Sequence, residues 1–385
     1  MVPLRYSVRS IGQRMTSSAM TAVSVAMVVS VLTILLGFVD GMRRTVTLAG
    51  ERDHWMILQR GVLVEGGYIP HESLGIIKTM PEIALDAARN PLLSPEDLDG
   101  FDPTPDAPLA SSGLLRSVLP IAYQVHPGIR VIDGHRPQRG KFEWMIGQRF
   151  AARHPNLKIG DIFHWGHNNW HIVGVFSDRG SARESEVWTD LDDLATEFHA
   201  EGALGYNVFH VVLKPGEADS FAARLHRDNR LKVDLMSEQA FYLQAAGFSN
   251  QIRSLGLAVA MVLAVGAVFG AMNTMYSAVA RRRREVGTLR VLGFGRATVL
   301  FAFIVESAVL GLVGGFLGEV LAILVAYGTG LQSRLMNVGT ILFSFHLGAA
   351  AIVAGIAASL AIGIIGGFLP AWQASRIPVM DALRD

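Results

Sequence analysis

Four residues of metal-binding type stand close together in the segment GDIFHWGHNNWH, residues 160–171. They are Asp161, His164, His167 and His171. On a helix the three histidines would share one face, which is the arrangement that ligates zinc. However, Gly160, Gly166 and the pair Asn168–Asn169 favour two strands joined by a turn, which separates these side chains. We therefore predict surface histidines beside a β-hairpin rather than a metal site.

The common catalytic motifs are absent from the sequence. It contains neither the phosphate loop G-x-x-x-x-G-K-[ST] nor the motifs H-E-x-x-H and G-x-S-x-G. It also contains 0 cysteines, which excludes disulfides and thiolate metal sites. We therefore predict that the chain is not an enzyme and binds no cofactor of its own.

Two carboxylates, Glu306 and Glu319, lie within one apolar run. A carboxyl group in a membrane helix is costly and marks a functional hypothesis by default. The two residues are 13 positions apart, so they point to different faces of a helix, which disfavours a proton relay. Between the two glutamates lie two pairs of glycines with a spacing of four, Gly311/Gly315 and Gly314/Gly318. Such pairs predict close helix packing, against the first span or a second copy. A membrane enzyme that uses Glu306 or the histidines is the alternative.

The composition is that of a membrane protein. Half of the residues (50%) are hydrophobic, the mean hydropathy is +0.34, and the apolar residues are concentrated in blocks. A net charge of +1 argues against a nucleic-acid partner. We predict four transmembrane helices, at residues 19–39, 254–280, 298–329 and 345–369, the last ended by Pro370.

The first span is predicted to be retained and to follow an amphipathic helix. Residues 1–18 place Leu4, Val8, Ile11 and Met15 at helical spacing, with arginines between them. An ordinary basic flank of the span is the alternative. No Ala-x-Ala site follows residues 19–39, which disfavours a cleaved signal peptide.

The distribution of basic residues predicts the topology. Arginines precede the first span, lie between the second and third spans and follow the fourth, whereas the loop at residues 330–344 contains only Arg334. The positive-inside rule then places both termini and the segment 281–297 in the cytoplasm. Residues 40–253 would form a large periplasmic or other extracytoplasmic domain.

Residues 40–253 are predicted to form an α+β domain, because strand-like and helix-like runs are mixed along them. The predicted strands are Leu119–Val125, Ile159–Trp165, Trp170–Phe176 and Asn207–Leu213. The predicted helices are Phe142–His154, Asp190–Ala200 and Glu217–Asp228. Asn90–Gly113 is rich in proline, serine and aspartate and is predicted to be a surface loop or linker.

Four consecutive arginines, residues 281–284, end the second apolar run. Arginine costs roughly 2.5–3.5 kcal/mol at a bilayer centre, so this segment must leave the membrane. The order of residues there resembles the MacB/FtsX-type ABC transporter permeases. The matching residues are Met272, Asn273, Thr274, Met275, Arg282, Arg284, Glu285, Val286, Gly287, Leu289, Arg290 and Gly293.

Three further regions are similar to the same family. Glu306 with the glycines after it resembles the third span, and the extracytoplasmic segments IGQRFAARHPNLKIGDIFHWGHNNWHIVGVF and SEVWTDLDDL resemble the periplasmic core domain. The end of the chain also matches, at Pro370, Ala371, Ala374, Arg376, Pro378, Ala382, Leu383 and Arg384. One span, a large outer domain and three further spans is the family's order.

The resemblance implies that a coupling helix between spans two and three sits in a groove of an ABC ATPase. Val286, Leu289 and Val291 or Leu292 would supply apolar contact. Charge would come from residues 282–284, Glu285 and Arg290. Gly287 and Gly293 would allow close approach of the partner or would end the helix. A topology-anchor role alone explains the arginines but not the ordered Glu-Val-Gly-Thr-Leu-Arg that follows them.

The resemblance also implies partners and a location. The chain would be a multi-pass protein of the bacterial inner membrane that dimerises with a second copy or a paralogue. Because the sequence has no fused ATPase domain, ATP and Mg²⁺ are expected in a separate ATPase subunit. A periplasmic adaptor, a lipoprotein carrier and membrane lipid are further expected partners. ATP hydrolysis would drive movement of the outer domains, for export or lipoprotein release; the alternative is a non-transporting, FtsX-like regulator of a cell-wall hydrolase.

Overall fold

A computed structural model describes residues 15–49, 53–62, 67–101, 113–197, 205–245, 248–338 and 341–376. The chain divides into two compact units. The helical unit comprises residues 1–41, 250–334 and 344–385, and the central domain comprises residues 42–249 and 335–343. Most of the predicted amphipathic helix (residues 1–14) and of the predicted tail (377–385) lies outside the described residues.

The α-helices are numbered in the order in which they follow one another along the chain. They are α1 Met15–Ala49, α2 His71–Ile77, α3 Ala122–Val125, α4 Gln148–Arg153, α5 Leu191–Glu197, α6 Ala218–Arg227, α7 Glu238–Ala245, α8 Phe248–Arg281, α9 Arg283–Val291, α10 Arg296–Gly328 and α11 Ala349–Ser375. A short 3₁₀ helix spans Ala182–Ser185.

The strands are numbered in the same way. They are β1 His54–Gln59, β2 Ile69–Pro70, β3 Leu93–Phe101, β4 Gly113–Val118, β5 Arg130–Gly134, β6 Glu143–Gly147, β7 Ile162–Trp165, β8 Asn168–Ser177, β9 Glu186–Asp190, β10 Gly205–Tyr206, β11 Val208–Val212, β12 Val233–Ser237, β13 Leu335–Val338 and β14 Ile341–Ser344.

The prediction of four membrane helices is confirmed. Within the described residues, 4 helices are long and apolar enough to cross a membrane, and they lie in α1, α8, α10 and α11. The predicted end of the last span at Pro370 is wrong, because α11 continues to Ser375. A proline removes one backbone hydrogen bond. Here Ala371 and Ala374, beyond the proline, are buried at 0% and 1% exposure, so packing maintains the final turns.

The glycines of α10 form two packing stripes within the helical unit. A Cβ on Gly311 would lie 2.6 Å from the backbone oxygen of Ser359 in α11. A Cβ on Gly318, on the other stripe, would lie 2.6 Å from the backbone oxygen of Ala26 in α1. Gly315 and Gly314 occupy the same two stripes, facing α11 and α1 respectively. The two glycine pairs therefore let α10 approach α11 on one side and α1 on the other.

The central domain is built on a 10-stranded sheet, which confirms the α+β prediction. The strand order is β12-β1-β11-β3-β4-β9-β6-β8-β5, and β7 pairs with β8. Most neighbours are antiparallel, but β4 pairs with β9 and β6 pairs with β8 in parallel. One apolar core covers the β12–β1–β11 part of the sheet with α2 and α6. Aromatic cores around Trp144, Trp170 and Trp188 cover the other part.

Several local predictions for the central domain are confirmed, and three are wrong. Strands β7, β8 and β11 and helices α5 and α6 lie where the sequence predicts them. The predicted surface loop Asn90–Gly113 instead contains β3, in the middle of the sheet, and residues 102–112 of that prediction lie outside the described residues. The predicted strand Leu119–Val125 contains the short helix α3, and the predicted helix Phe142–His154 is β6 followed by α4.

The error over β3 has a specific cause in its proline. Pro95 pairs with Phe209 of β11, whereas pairing of β3 with β4 begins only at Glu96. A strand tolerates proline where one of its edges is unpaired, because no ladder hydrogen bond is then lost on that edge. The position of the proline at the entry of a strand cannot be distinguished from a loop proline by composition alone.

We expect Gly311→Val and Gly318→Val to destabilise the helical unit, because each new side chain meets backbone atoms that cannot rotate away. The expected cost is about 1–3 kcal/mol each. Gly266→Val in α8 is the matched control, since a Cβ there meets nothing within 4 Å in this chain. Each variant is heated in detergent, and the measured quantity is the temperature at which half of the monodisperse protein is lost. Equal losses for all three variants would contradict the packing role of the stripes.

Candidate functional site

The segment between α8 and α10 forms a short helix with defined ends. Helix α8 ends at Arg281, and Arg282 leaves helical geometry (φ −106°, ψ 16°) before α9 begins. At the other end Gly293 has a φ of 91°, which favours glycine. Its N–H donates to Arg290 O at 3.2 Å, and Phe294 N donates to Leu289 O at 3.1 Å. This is a Schellman C-cap, so Gly293 ends the helix.

A buried ion pair fixes the start of α9. Arg282 Nη1 lies 2.8 Å from Glu306 Oε2 of α10, and the two side chains are only 10% and 6% exposed. A buried charge is tolerated when an opposite charge with good hydrogen-bond geometry neutralises it. The ion pair with Arg282 therefore offsets the free-energy cost of burying the Glu306 carboxylate in an apolar helix. The pair joins residues 24 positions apart, which sequence spacing could not indicate.

The inward face of α9 packs against helices of the same unit. Val286 is 3% exposed, and Gly287 is buried beside it. Val286 belongs to one apolar cluster with residues of α8, α10 and α11, namely Met275, Ala278, Val279, Val299, Phe303, Leu310, Ala371 and Ala374. The resemblance gave Val286 an apolar contact with a partner. Its burial instead makes it an internal anchor of the helix.

A second arginine fixes the other end of α9. Arg290 Nη1 donates to the backbone oxygen of Ser375, the last residue of α11, at 3.1 Å. The carbonyl groups at a helix C-terminus lack intrahelical partners and attract cations. Arg282, Val286 and Arg290 are spaced by four, so one face of α9 is attached to α10 and α11 along its whole length.

The opposite face of α9 is exposed. Its residues are Arg283, Arg284, Glu285, Thr288, Val291 and Leu292, and Leu289 is half-buried at the boundary. Val291 and Leu292 are 60% and 69% exposed at the C-terminal end of this face, and three charged side chains are exposed at its N-terminal end. We call these six residues the α9 outer face. Its mixture of charge and exposed apolar side chains is typical of a protein-binding surface.

Two other predicted polar residues lie away from α9. Asn273 is exposed on α8, and its neighbour Thr274 exchanges a hydroxyl hydrogen bond with Thr21 of α1. Glu319 is 5% exposed, and one of its oxygens accepts a hydrogen bond from Thr33 Oγ1 at 2.9 Å. Glu306 and Glu319 therefore have different partners and form no common site.

We expect Glu306→Met to destabilise the protein strongly, because it removes the nearest carboxylate from the buried Arg282 and leaves it only the longer contact with the half-exposed Glu285, at 3.7 Å. The expected cost is about 3–5 kcal/mol. The double variant Arg282→Met/Glu306→Met removes both charges and should recover most of this loss. The measurement is a double-mutant cycle: the thermal stability in detergent of the wild type, of Arg282→Met, of Glu306→Met and of the double variant. Additive losses would show that the pair does not interact.

The histidine-rich segment of the central domain forms the predicted hairpin. Strands β7 and β8 pair with His164 opposite Asn169 and His171 opposite Ile162, and Gly166 has a φ of 66° in the turn. His164 Nδ1 lies 3.0 Å from Asn169 Oδ1. His167 lies in the turn, 3.3 Å from Glu197. The three histidines thus have separate surroundings on an exposed hairpin.

A different set of ionisable groups is fully buried in the middle of the sheet. Arg116 of β4 contacts Glu186 of β9 through two hydrogen bonds, of 2.7 and 2.8 Å, and Glu96 of β3 at 2.6 Å. His126 Nε2 lies 3.1 Å from the other oxygen of Glu96. His210 Nε2 of β11 lies 3.0 Å from Arg116 Nη1. None of the sequence predictions includes this network, although a charged residue inside an apolar strand, as in LLRSVL, signals it.

The network extends toward α7. Arg183 binds both oxygens of Glu238, at 3.0 and 2.6 Å, and Asp178 at 2.6 Å. Tyr242 donates to Glu186 at 2.6 Å. Each arginine therefore has two carboxylate partners, which offsets the cost of its burial.

The histidines of the network are held neutral by their surroundings. Burial lowers the pKa of His126 well below its usual value, and the charges of Arg183 and Arg116 lower it further. Burial also lowers the pKa of His210, against the opposing effect of Glu96. The ligand-type atoms of Glu96, His126 and His210 lie within 4.8 Å of one another. The guanidinium of Arg116, hydrogen-bonded to both Glu96 and His210, supplies the positive charge there.

We expect the central domain to lose stability on acidification because of His126 and His210. Their pKa values in the folded state lie below the unfolded value of about 6.5. Stability from neutral histidines is present above that pH and is lost as the pH falls below it, by at most about 1.4 kcal/mol per pH unit per histidine. Thermal unfolding of the full chain in detergent, followed by tryptophan fluorescence, measures this, because 5 of the 6 tryptophans lie in the central domain.

Two variants separate the buried histidines from other acid effects. His126→Phe should flatten the decline in stability between about pH 7.5 and pH 5.5. His167→Gln, on the exposed hairpin, should retain the wild-type decline. The attribution fails if both variants show the same pH dependence as the wild type.

The sequence matches a known permease family and several of its members. Residues 257–379 match the FtsX-like permease C-terminal family. The uncharacterised ABC transporter permease MJ1507 of Methanocaldococcus jannaschii is 28% identical over 236 residues, which cover 59% of this chain and 58% of that protein. The macrolide export ATP-binding/permease protein MacB of Syntrophobacter fumaroxidans is 36% identical over 174 residues, covering 45% of this chain and 21% of MacB.

A solved structure shows a more distant likeness. The periplasmic region of MacB from Actinobacillus actinomycetemcomitans aligns with 51% of this chain and 94% of its own length, at 9% identity and a TM-score of 0.35. The chain spans less than two thirds of the length of MJ1507 and of the Syntrophobacter MacB. The match at residues 257–379 includes α9, most of α8 and the whole of α10 and α11. The predicted family resemblance is therefore confirmed.

Proposed function

We propose that this chain, which carries an FtsX-like permease domain and is homologous to ABC transporter permeases, is a membrane subunit on which an ABC ATPase docks through the α9 outer face. The observation that carries the proposal is the division of α9 into two faces. One face is attached to the helices of its own unit at both ends, and the other exposes charged and apolar side chains together. A helix that must pass force from a partner needs both properties.

The attached face gives the helix its rigidity. Because Arg282 binds Glu306 and Arg290 binds Ser375, a push on α9 is carried into both α10 and α11. Val286 adds an apolar contact between these two polar ones. In this proposal the three residues position the helix. Arg284, Glu285 and Leu292 of the outer face are the ones that touch the ATPase.

The proposed topology follows from the basic residues. With the arginines around α9 in the cytoplasm, the ATPase approaches from that side and the central domain is extracytoplasmic. The chain would then be a multi-pass protein of the bacterial inner membrane with both termini in the cytoplasm.

The proposed activity is coupling rather than catalysis. A separate ATPase subunit would bind ATP and Mg²⁺, and its closure would shift the equilibrium between two arrangements of the permease. Two permease subunits would move their outer domains together, for export or for lipoprotein release. Export has additional support from the name of the MacB relative, a macrolide export protein.

The docking proposal is tested by affinity purification of the full chain in mild detergent. We expect an ABC ATPase to co-purify with the wild type and to be lost from Arg284→Glu/Leu292→Asp, because this variant reverses a charge and removes an apolar contact on the exposed face without touching Glu285, which lies 3.7 Å from the anchor Arg282. Asp133→Arg/Leu85→Asp makes the same kinds of change at exposed positions of the central domain and should retain the ATPase. An ATPase that binds all three proteins equally would exclude docking through α9.

The same experiment separates the function classes. Co-purification of an adaptor or a lipoprotein with the wild type supports export or lipoprotein release. Co-purification of a cell-wall hydrolase supports the regulatory alternative. If no ATPase is recovered while the permease remains folded and dimeric, the permease role itself is contradicted.

A further inference from the structure

The loop between α10 and α11 is part of the central domain. It forms the hairpin β13–β14, and residues 335–343 belong to the compact unit that contains residues 42–249. Ile341 and Phe343 are 1% and 0% exposed. A short loop between two membrane helices is ordinarily surface-exposed, so its burial requires specific partners.

Two side chains of the central domain bind the backbone of one hairpin residue. Leu342 N donates to Ser185 Oγ at 2.9 Å, and the same hydroxyl donates to Leu342 O at 3.3 Å. Arg149 Nη1 also donates to Leu342 O, at 2.9 Å. The backbone of Leu342 is thus satisfied by these side chains, which fixes the position of β14.

The guanidinium of Arg149 also reaches α1. Arg149 Nη1 donates to Thr45 Oγ1 at 3.1 Å. Thr45, Gly41 and Gly37 are spaced by four and share one face of α1. A Cβ on Gly41 would meet the backbone oxygen of Ser344, and His346 N donates to Gly37 O at 3.3 Å. The chain that leaves the hairpin therefore follows the same face of α1 that Arg149 contacts.

The surroundings hold the Arg149 side chain in place. Its Nε lies 3.6 Å from Glu184 Oε2, and its side chain is 15% exposed. Glu184 is itself fixed, because its other oxygen accepts from Ser177 Oγ and from the N–H groups of Asp178 and Gly180, each at 2.8 Å. A side chain held in this way loses little further entropy when it binds.

We infer that Arg149 is a positioning residue that ties α1 and the β13–β14 hairpin to α4 of the central domain, so that movement of α10 and α11 is transmitted to that domain. The inference rests on the proposed function, since it presumes that an ATPase moves these helices. It adds the residue at which the movement enters the domain. A purely structural Arg149 would stabilise the domain without affecting its response to ATP.

The test is hydrogen–deuterium exchange on the purified permease–ATPase complex, with and without ATP and vanadate. In the wild type we expect exchange to change in peptides of the hairpin and of the central domain. In Arg149→Met the ATPase should still bind and hydrolyse ATP, but the change in central-domain peptides should fall about threefold or more. Arg149→Lys, which can still donate to both acceptors, should recover part of the response.

Matched variants separate transmission from folding. Arg153→Met removes an exposed arginine from the same helix and should leave the response unchanged. Ser185→Ala removes the second anchor of Leu342 and should weaken the response if Arg149→Met proves too unstable to purify. Tryptophan-detected melting of each variant, without nucleotide, reports whether the domain is still folded.

The outcomes distinguish this inference from the docking proposal. If the wild type recovers no ATPase, the proposed function fails before Arg149 is tested. If the ATPase binds and Arg149→Met and Ser185→Ala both respond to ATP as the wild type does, docking stands and the role of Arg149 is overturned. A reduced response in Arg153→Met as well would also overturn it, because the effect would then not belong to the hairpin contact.

Discussion

The arrangement of the helical unit depends on the neutralisation of one buried arginine. Arg282 stands where an apolar helix meets a charged segment, and burial without a counter-charge would cost several kcal/mol. Glu306 supplies that charge from α10. Once this pair is formed, α9 must start beside α10, and the spacing of four turns Val286 and Arg290 toward the same side. The exposed residues of the helix then face away from these three anchors, and they form the α9 outer face.

The central domain applies the same constraint inside a sheet. Arg116 and Arg183 lie where apolar residues would be expected, and carboxylates from other elements surround them. The network joins β3, β4, β9 and β11 with α7. It lies between the apolar core at one end of the sheet and the aromatic cores at the other. Removing Arg116 would leave Glu96 and Glu186 buried without their guanidinium, so the network specifies a single pairing of these strands in a way that interchangeable apolar residues would not.

The sequence was sufficient where the physical signal is local. Four apolar runs long enough to cross a bilayer predict four helices whatever their neighbours are, and the four consecutive arginines predict a segment outside the membrane. The glycine spacing in α10 likewise predicts close packing, but not which helix fits which stripe. Predictions failed where contacts between distant parts of the chain decide the secondary structure. Pro95 enters a strand beside an unpaired edge, and Phe142–His154 changes from strand to helix at Gly147. The partners of Arg282, Arg116 and Arg149 are distant in sequence, so no local pattern could identify them.

The three arginine contacts differ in how much it costs to break them. Arg282 and Arg116 bind carboxylates in dry surroundings, and separating such pairs costs about 3–5 kcal/mol. Arg149 Nη1 donates to a carbonyl and a hydroxyl, and a hydrogen bond that involves a charged group contributes about 1.5–3 kcal/mol. Breaking one of them leaves no charge unpaired, because Glu184 stays beside the guanidinium and both acceptors are neutral. A conformational change available at ordinary temperatures would therefore keep α9 attached to its helices and keep the sheet network intact. The contact of Arg149 with Leu342 and Thr45 is strong enough to bias the position of the hairpin and weak enough to be adjusted, which suits a point where movement is transmitted rather than resisted.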